Sequence, residues 1–463
     1  MVPLVDADAL AYAGAARQAR LLRDGEVSAR ELVAATLERI ERVGPALNAF
    51  RVVFAERALA EADEADARRG AGGARPLLGV PVAIKDDADV AGEPTARGTG
   101  ADGRPAARDS DVVARLRAAG AIVVGKTNVP ELTIWPFTET LSYGATRNPW
   151  SADHTPGGSS GGSGAAVAAG LCGVALGSDG AGSIRIPAAF CGVFGLKPQR
   201  GRVSLGPGRT EAWHGLVHFG PLARHVADAG LFLDAAAGDG AFAAAAATPP
   251  GPLRVAVSTA APPGAVVRLG AEQRRALDET AALLRSLGHE VAERPLQFTP
   301  TAGADVLARF LRGIHDEAAA VPHPERLEPR TRSMARLGAL VRPAAVARLR
   351  AAEPALRARV DAVFERADVV LTPGPAGPPF RVGRFQRRGA LVTLNASVAK
   401  VPWYGIFNVT GQPAASVPAG FDRDGLPLAV QLVGRPLDEA TLLSLAAQLE
   451  AECPWADRRP PVG

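Results

Sequence analysis

Residues 155–199 read TPGGSSGGSGAAVAAGLCGVALGSDGAGSIRIPAAFCGVFGLKPQ. The first part is a Gly/Ser loop that runs into an Ala-rich helix, predicted at about 163–170. A short buried strand is predicted next, at 173–178, and it ends just before a second run of small residues. The fold is therefore decided by two loops of small residues that one helix and one strand connect.

The second loop, Asp179-Gly180-Ala181-Gly182-Ser183, has the composition of an anion-binding turn. Three small residues let successive backbone N–H groups turn toward one point. The oxyanion of acyl transfer needs that arrangement, with the nucleophile on the same loop. A tight turn is the simpler alternative here, and a helix N-cap is the simpler role for a serine of the first loop. The presence of both segments together favours a catalytic serine.

Three literal motif matches do not predict function. Residues 120–127 satisfy the phosphate-loop pattern, but the intervening residues are strand formers and Pro130 interrupts the segment after them. Residues 98–103 match a dinucleotide-binding pattern without a buried strand before them, so we predict a loop. The pattern G-x-S-x-G matches at Ser159 and Ser160, with no strand leading sharply into it.

Strand and helix patterns alternate along most of the chain. Residues 7–70 are predicted to be helical, and Ser28-Ala29-Arg30-Glu31 has the form of a capping box. Short apolar strands come next at 78–84, 121–124 and 173–178, separated by helices. This alternation predicts an α/β fold with a sheet covered on both faces.

The zone at about 240–360 is rich in Ala and Arg and mainly helical in pattern, with a strand predicted at 254–258 and a helix at 271–287. No linker-like stretch and no internal repeat stands out. We therefore predict one large domain overall. It has an N-terminal helical segment at 1–70 packed on the core, and an α/β domain at 71–463 that carries this zone as a variable helical insertion.

The chain resembles the amidase signature family. Residues 157–187 contain GGSSGG and then a D-x-x-G-S-I-R-x-P segment, with the two key serines 24 residues apart. Further matches are the lysine segment VAIKD at 82–86, GKTN at 125–128, GLKP at 195–198, the segment at 368–373 and NVTGQP at 408–413. The resemblance runs from about residue 20 to 450 and is weakest at 240–360. It implies the amidase signature fold, a large mixed β-sheet covered on both faces by α-helices.

The resemblance also implies roles for individual residues. Ser183 resembles the acyl-forming nucleophile, Ser159 the bridging serine and Lys85 the lysine that bonds it. The oxyanion hole corresponds to the backbone N–H groups of Gly180, Ala181, Gly182 and Ser183. Asp179 and Arg185 resemble partners that hold this loop.

These roles make chemical sense because a serine hydroxyl is a poor nucleophile unless a base accepts its proton. A lysine can be that base when burial lowers its pKa from about 10.4. Lys85 ends the apolar run at 79–84, and the sequence contains only four lysines. Neutral Lys85 would take a proton from Ser159 while Ser159 takes one from Ser183. The prediction is amide hydrolysis through a Ser-Ser-Lys triad and an acyl-enzyme, with no metal ion and no organic cofactor.

Two positions depart from the family pattern. Ala181 stands where Gly is more usual, and Ala disfavours positive φ by roughly 1 kcal/mol. Asp87 stands where Asn is frequent, which leaves the hydrogen bonding next to Lys85 open.

Composition limits the partners. The formal charge is +4 over 463 residues and the basic groups do not cluster, so nucleic-acid binding is not predicted. Three widely spaced cysteines fit neither a disulfide framework nor a zinc site. No basic, apolar leader and no long apolar run is present, so we expect a cytoplasmic protein without membrane contact. We expect its partner to be a small-molecule amide, and the sequence leaves a homodimer open.

Two other functions remain open at this stage. The amidase-type subunit of a tRNA-dependent amidotransferase uses the same chemistry on glutamine, but tends to carry Gln where Ile186 stands. A non-catalytic binding protein on the same scaffold is the second alternative. Four aromatic residues are candidates for an acyl pocket, although core positions are the simpler assignment: Trp135, Phe137, Trp403 and Tyr404.

Overall fold

Within the described part of the chain, eleven strands form one mixed sheet that helices flank. The computed structural model describes residues 6–69, 75–100, 103–206, 210–238, 240–264 and 266–462. The strands are β1 (Phe50–Val53), β2 (Pro81–Lys85), β3 (Ile122–Thr127), β4 (Glu139–Thr140), β5 (Gly144–Ala145), β6 (Val174–Asp179), β7 (Phe194–Lys197), β8 (His218–Ala223), β9 (Arg254–Val257), β10 (Glu290–Glu293), β11 (Val369–Pro373), β12 (Ala414–Phe421) and β13 (Pro427–Gly434). Strands β4 and β5 form a separate hairpin.

The helices are α1 (Ala7–Ala11), α2 (Gly14–Asp24), α3 (Ala29–Leu47), α4 (Ala55–Arg68), α5 (Asp111–Ala118), α6 (Gly161–Ala168), α7 (Arg185–Cys191), α8 (Val226–Ala237), α9 (Phe242–Ala246), α10 (Ala271–Ser286), α11 (Ala302–Ala320), α12 (Pro329–Ala339), α13 (Pro343–Asp361), α14 (Ala390–Lys400), α15 (Ile406–Thr410) and α16 (Glu439–Glu452). The predicted capping box starts α3: the Glu31 N–H donates to Ser28 Oγ at 3.1 Å, and the Ser28 N–H donates to Glu31 Oε2 at 2.8 Å. In the described ranges, no helix has the length and apolar character needed to cross a membrane.

The strand order is β1-β3-β2-β6-β8-β7-β12-β13-β11-β9-β10. Strands β3, β2 and β6 run parallel to one another, and β6 pairs antiparallel with β8. Every residue of these four strands is buried. Because alternate side chains of a strand point to opposite faces, both faces of this part of the sheet are covered. The predicted α/β fold with a large mixed sheet is confirmed.

The N-terminal segment is not entirely helical as predicted. Strand β1 interrupts it and pairs antiparallel with β3 at the edge of the sheet. Its sequence, FRVV, is rich in aromatic and β-branched residues, which pack well on a sheet surface. Pairing at a sheet edge therefore decides the structure of these four residues, which lie between α3 and α4.

The other sequence predictions fit the structure with small shifts. Residues 122–127 form β3, so the phosphate-loop match lies in a strand, as expected. The predicted helix at 271–287 is α10, and the predicted strand at 254–258 is β9, which joins the opposite end of the sheet. The predicted boundary between residues 70 and 71 lies outside the described residues, as do residues 101 and 102 of the predicted loop. The division into two segments therefore stays a prediction.

Candidate active site

A cavity of about 760 Å³ opens beside the carboxyl ends of β2 and β6. Ser159, Ser178 and Ser183 are among the residues that line it. Its wall is completed by α11 and by the segment from α14 to α15. The apolar lining residues include Ile134, Trp135, Ile186, Trp213, Val217, Phe219, Val306, Leu307, Phe310, Leu394, Val398, Val401 and Ile406.

Lys85 is the last residue of β2 and is fully buried. Its Nζ lies 2.7 Å from Ser159 Oγ, 2.7 Å from Ser178 Oγ and 3.2 Å from the Ser178 carbonyl oxygen. The carboxylate of Asp87 is also close, with Oδ2 3.3 Å from the same nitrogen. The amine is thus enclosed by protein oxygen atoms, one of which belongs to the predicted bridging serine.

Burial lowers the pKa of Lys85 below its usual range, because a charged ammonium loses its hydration in the interior. The carboxylates of Asp87 and, farther away, Asp179 counteract part of this effect. The neutral amine is therefore easier to reach at physiological pH than it would be for an exposed lysine. A neutral amine is the form that can accept a proton.

Ser159 precedes α6 in a loop that packs tightly against its surroundings, and the peptide bond before it is cis. A Cβ at Gly158 would lie 2.4 Å from the Trp135 carbonyl oxygen, and one at Gly162 would lie 2.4 Å from the Ala49 carbonyl oxygen. Such approaches exclude a side chain, which explains why this loop consists of glycine and serine. The close packing holds Ser159 against Lys85.

Ser183 is half-buried and faces the cavity. Its carbonyl oxygen accepts a hydrogen bond from the Ser160 N–H at 3.1 Å, which joins the two small-residue loops. Its hydroxyl has no hydrogen-bond partner among the described residues, so the predicted bond to Ser159 is not formed here. Catalytic hydrogen bonds are often long before substrate binds and shorten in the complex. The structure therefore forms the lysine–serine half of the predicted relay.

The predicted oxyanion loop has three backbone N–H groups without a partner among the described residues: those of Gly180, Ala181 and Ser183. The fourth, that of Gly182, donates to Asp179 Oδ1 at 2.6 Å. Gly182 has φ +115°, and a Cβ there would lie 2.8 Å from Tyr404 Cβ, so this position requires glycine. Ala181 is not among the residues with positive φ, and the alanine is accommodated without strain.

Asp179 and Arg185 hold this loop from behind. Both are fully buried, and Arg185 Nε and Nη2 each donate to the Asp179 carboxylate at 2.9 Å. Asn408 donates to the same carboxylate at 2.9 Å and accepts from Arg185 Nη2 at 2.6 Å. Burial alone would raise the pKa of Asp179, but Arg185, Asn408 and Lys197 hold it well below its usual range. The loop is therefore fixed by a permanently charged pair.

The aromatic candidates divide between cavity and core. Trp135 lines the cavity and also belongs to the buried cluster that contains Phe137, whereas Phe137, Trp403 and Tyr404 are buried outside the cavity lining. Trp213, Phe219 and Phe310 line the cavity and were not predicted. The described residues bring together no group of three or more His, Cys, Asp and Glu side chains that could hold a metal ion.

A family model described as Amidase matches residues 31–443. The chain belongs to the amidase family. The match covers the lysine, both small-residue loops and the carboxyl-terminal strands of the sheet.

Similar proteins span this amidase-family chain from end to end. AmiB2 of Mycobacterium tuberculosis, whose name as an amidase is provisional, is 56% identical over 462 residues, covering 99% of this chain and 100% of AmiB2. A glutamyl-tRNA(Gln) amidotransferase chain of Synechococcus is 36% identical, covering 95% of this chain and 96% of that one. The structure of 6-aminohexanoate cyclic dimer hydrolase superimposes with a TM-score of 0.86 at 33% identity, covering 98% of this chain and 99% of the hydrolase. These relationships identify a hydrolase of C–N amide bonds.

Proposed function

We propose that this protein hydrolyses linear carboxylic amides to an acid and an amine or ammonia, with Ser183, Ser159 and Lys85 as its triad. The supporting observation is the fully buried Lys85 amine, 2.7 Å from the hydroxyl of Ser159, at the cavity that Ser183 also faces. Burying the Lys85 amine costs desolvation energy, which the nearby Asp87 carboxylate offsets only in part. A role in proton transfer accounts for a buried amine placed beside the Ser159 hydroxyl.

The first step is acylation. Neutral Lys85 accepts the proton of Ser159, Ser159 accepts the proton of Ser183, and Ser183 Oγ attacks the amide carbon. The tetrahedral oxyanion that forms is stabilised by backbone N–H groups, and those of Gly180, Ala181 and Ser183 have no partner in the described part of the chain. The N–H of Gly182 can join them only if its bond to Asp179 loosens.

The second step reverses the proton path. The ammonium of Lys85 returns its proton through Ser159 to the nitrogen of the leaving group, and the C–N bond breaks. An ester between Ser183 and the acyl group remains. Water then attacks this ester with the same relay as base, which releases the acid and regenerates Ser183. Side chains and water carry every proton in this sequence.

The cavity supports an amide with an apolar acyl group. A Cβ added at Gly405 would lie 3.7 Å from Ala181 Cβ and 2.7 Å from Val306, so the apolar wall stands directly beside the nucleophile loop. Leu307 and Phe310 extend that wall along α11. The charged lining residues come mainly from residues 87–109, and Arg97 pairs with Glu317.

Glutamine-dependent amidotransfer is less well supported. Ile186, at the position where such subunits tend to carry Gln, is buried and lines the cavity with an apolar surface. A non-catalytic binding role leaves the buried Lys85 without a function. The cytoplasmic location and the homodimer stay predictions.

Replacement of Ser183 by Ala should abolish turnover, because it removes the hydroxyl that forms the ester in the proposed mechanism. We expect kcat to fall by at least about 10⁴-fold. Ser333→Ala, which removes a half-buried helix serine that donates to the Pro329 carbonyl oxygen outside the cavity lining, is the matched control and should keep full activity. A fluorophosphonate serine reagent should label the wild-type and control proteins at Ser183. Labelling of the Ser183→Ala protein at equal rate would show that another serine is the nucleophile.

Lys85→Arg should be as inactive as Lys85→Ala, because a guanidinium stays protonated and cannot act as a base. The expected loss in kcat is about 10²- to 10⁴-fold for both variants. Lys400→Arg is the control, since Lys400 Nζ donates to the Pro378 carbonyl oxygen outside the cavity lining. Wild-type activity in Lys85→Arg would remove the lysine base from the mechanism.

Lengthening an unbranched aliphatic acyl chain should raise kcat/KM by about three- to fourfold per methylene until the apolar wall is filled. Primary amides from acetamide to octanamide, followed by ammonia release, measure this slope. Leu307→Glu places a charge on the wall at a half-exposed position and should flatten the slope. A slope that is flat in the wild type, or equal in both proteins, would contradict the apolar acyl site.

A further inference from the structure

Asp87 makes two contacts that the proposed triad alone does not explain. The Ser178 hydroxyl donates a short hydrogen bond to Asp87 Oδ2, and the same carboxylate oxygen lies 3.3 Å from Lys85 Nζ. Asp87 also lines the cavity and its side chain is 12% exposed. Its other oxygen, Oδ1, is buried with no hydrogen-bond partner among the described residues. The Asp87 carboxylate thus contacts both Lys85 and Ser178, and Ser178 is itself a hydrogen-bond partner of Lys85.

The hydrogen-bond donors around Lys85 can be counted. A neutral amine has two N–H donors and one lone pair. The Ser178 carbonyl oxygen can only accept, so it takes one N–H. The Ser178 hydroxyl gives its proton to Asp87 and must therefore accept the second N–H. The lone pair is then left to face the hydroxyl of Ser159, 2.7 Å away, and Asp87 Oδ2, 3.3 Å from the same nitrogen, acts on the amine as a charge.

This count makes the carboxylate at 87 an orienting group. An ionised carboxylate accepts hydrogen bonds and donates none, so it fixes the direction of the Ser178 hydroxyl. That hydroxyl in turn fixes the direction of the Lys85 N–H groups. Without the acceptor at 87, the Ser178 hydroxyl could donate to Lys85, occupy its lone pair and block proton transfer from Ser159.

The same carboxylate carries a charge. The charged groups facing Lys85 are Asp87 and, farther away on β6, Asp179, which is already paired with Arg185. On the neighbouring strand β3, Lys126 pairs with Asp86 at 2.9 Å, and α6 carries no charged side chain. On α3, the buried Arg39 bonds the Ala169 carbonyl oxygen and Asp8. Asp87 is therefore the one unneutralised charge in contact with the amine among the described residues.

We propose that Asp87 is a positioning residue: through Ser178 it points the lone pair of Lys85 at Ser159, and its negative charge raises the pH at which the base becomes active. The proposal rests on the proposed function, since it concerns the base of that mechanism. Asn at this position would keep an acceptor for Ser178 and remove the charge. Ala would remove both, so the two effects are separable.

The test is the pH dependence of kcat/KM and kcat for Asp87→Asn and Asp87→Ala. In Asp87→Asn the acidic limb should move to lower pH by about one unit or more, because an opposite charge near the ammonium has been removed. Its plateau should stay within about threefold of wild type, whereas the plateau of Asp87→Ala should fall by about tenfold or more. Asp153→Asn, which removes a carboxylate whose side chain is 75% exposed, should leave both limb and plateau unchanged.

Two results would overturn the proposal: an acidic limb in Asp87→Asn that coincides with wild type, or a plateau as low as that of Asp87→Ala. Equal melting temperatures of the variants exclude misfolding as the cause. Lys85→Ala, assayed in parallel, separates this proposal from the mechanism. If Lys85→Ala is active, the proposed function fails. If it is inactive while Asp87→Asn matches wild type, only the role of Asp87 fails.

Discussion

The chemistry proposed for this protein depends on one lysine amine that the fold withdraws from water. An exposed ammonium is a poor base because hydration stabilises its charge, and burial removes that stabilisation. The interior around Lys85 nevertheless offers oxygen atoms at hydrogen-bond distance, from Ser159 and Ser178. The amine can therefore exist in the interior in either protonation state, which a proton carrier requires.

The parallel pairing of β2 and β6 brings these groups together. Ile84 lies opposite Leu176, so Lys85, one residue further along β2, and Ser178, two residues further along β6, come within hydrogen-bond distance at the carboxyl ends of neighbouring strands. Functional residues collect at such an edge because the loops leaving parallel strands converge there. The loop after β6 carries Ser183, and the buried pair behind it keeps that loop in place.

Much of this site can be predicted from sequence, because its key residues lie in short local patterns. Ser159 and Ser183 stand in loops of small residues, and Lys85 ends an apolar run. Ser178 and Asp87 could not be assigned in this way, since they are 91 residues apart and only the strand pairing joins them. The strand β1 was missed for a similar reason: pairing at a sheet edge, rather than the local pattern, makes it a strand.

The aromatic residues illustrate a further limit of predicting the site from the sequence. Composition alone does not distinguish Trp135, which lines the cavity, from Phe137, which does not, because the two rings stack at 5.8 Å within one buried cluster. The part of the cavity lining that α11 contributes could not be predicted from the sequence either, because nothing in its helical pattern indicates that it faces Ser183.

The most direct test of the mechanism is the rate of acyl-enzyme formation in Ser159→Ala under single-turnover conditions. If Ser159 carries the proton from Ser183 to the buried amine, this rate falls by about 10²- to 10⁴-fold while KM changes little. If the acylation rate of Ser159→Ala equals that of the wild type, Ser159 is not in the proton path, and the relay from Lys85 is wrong.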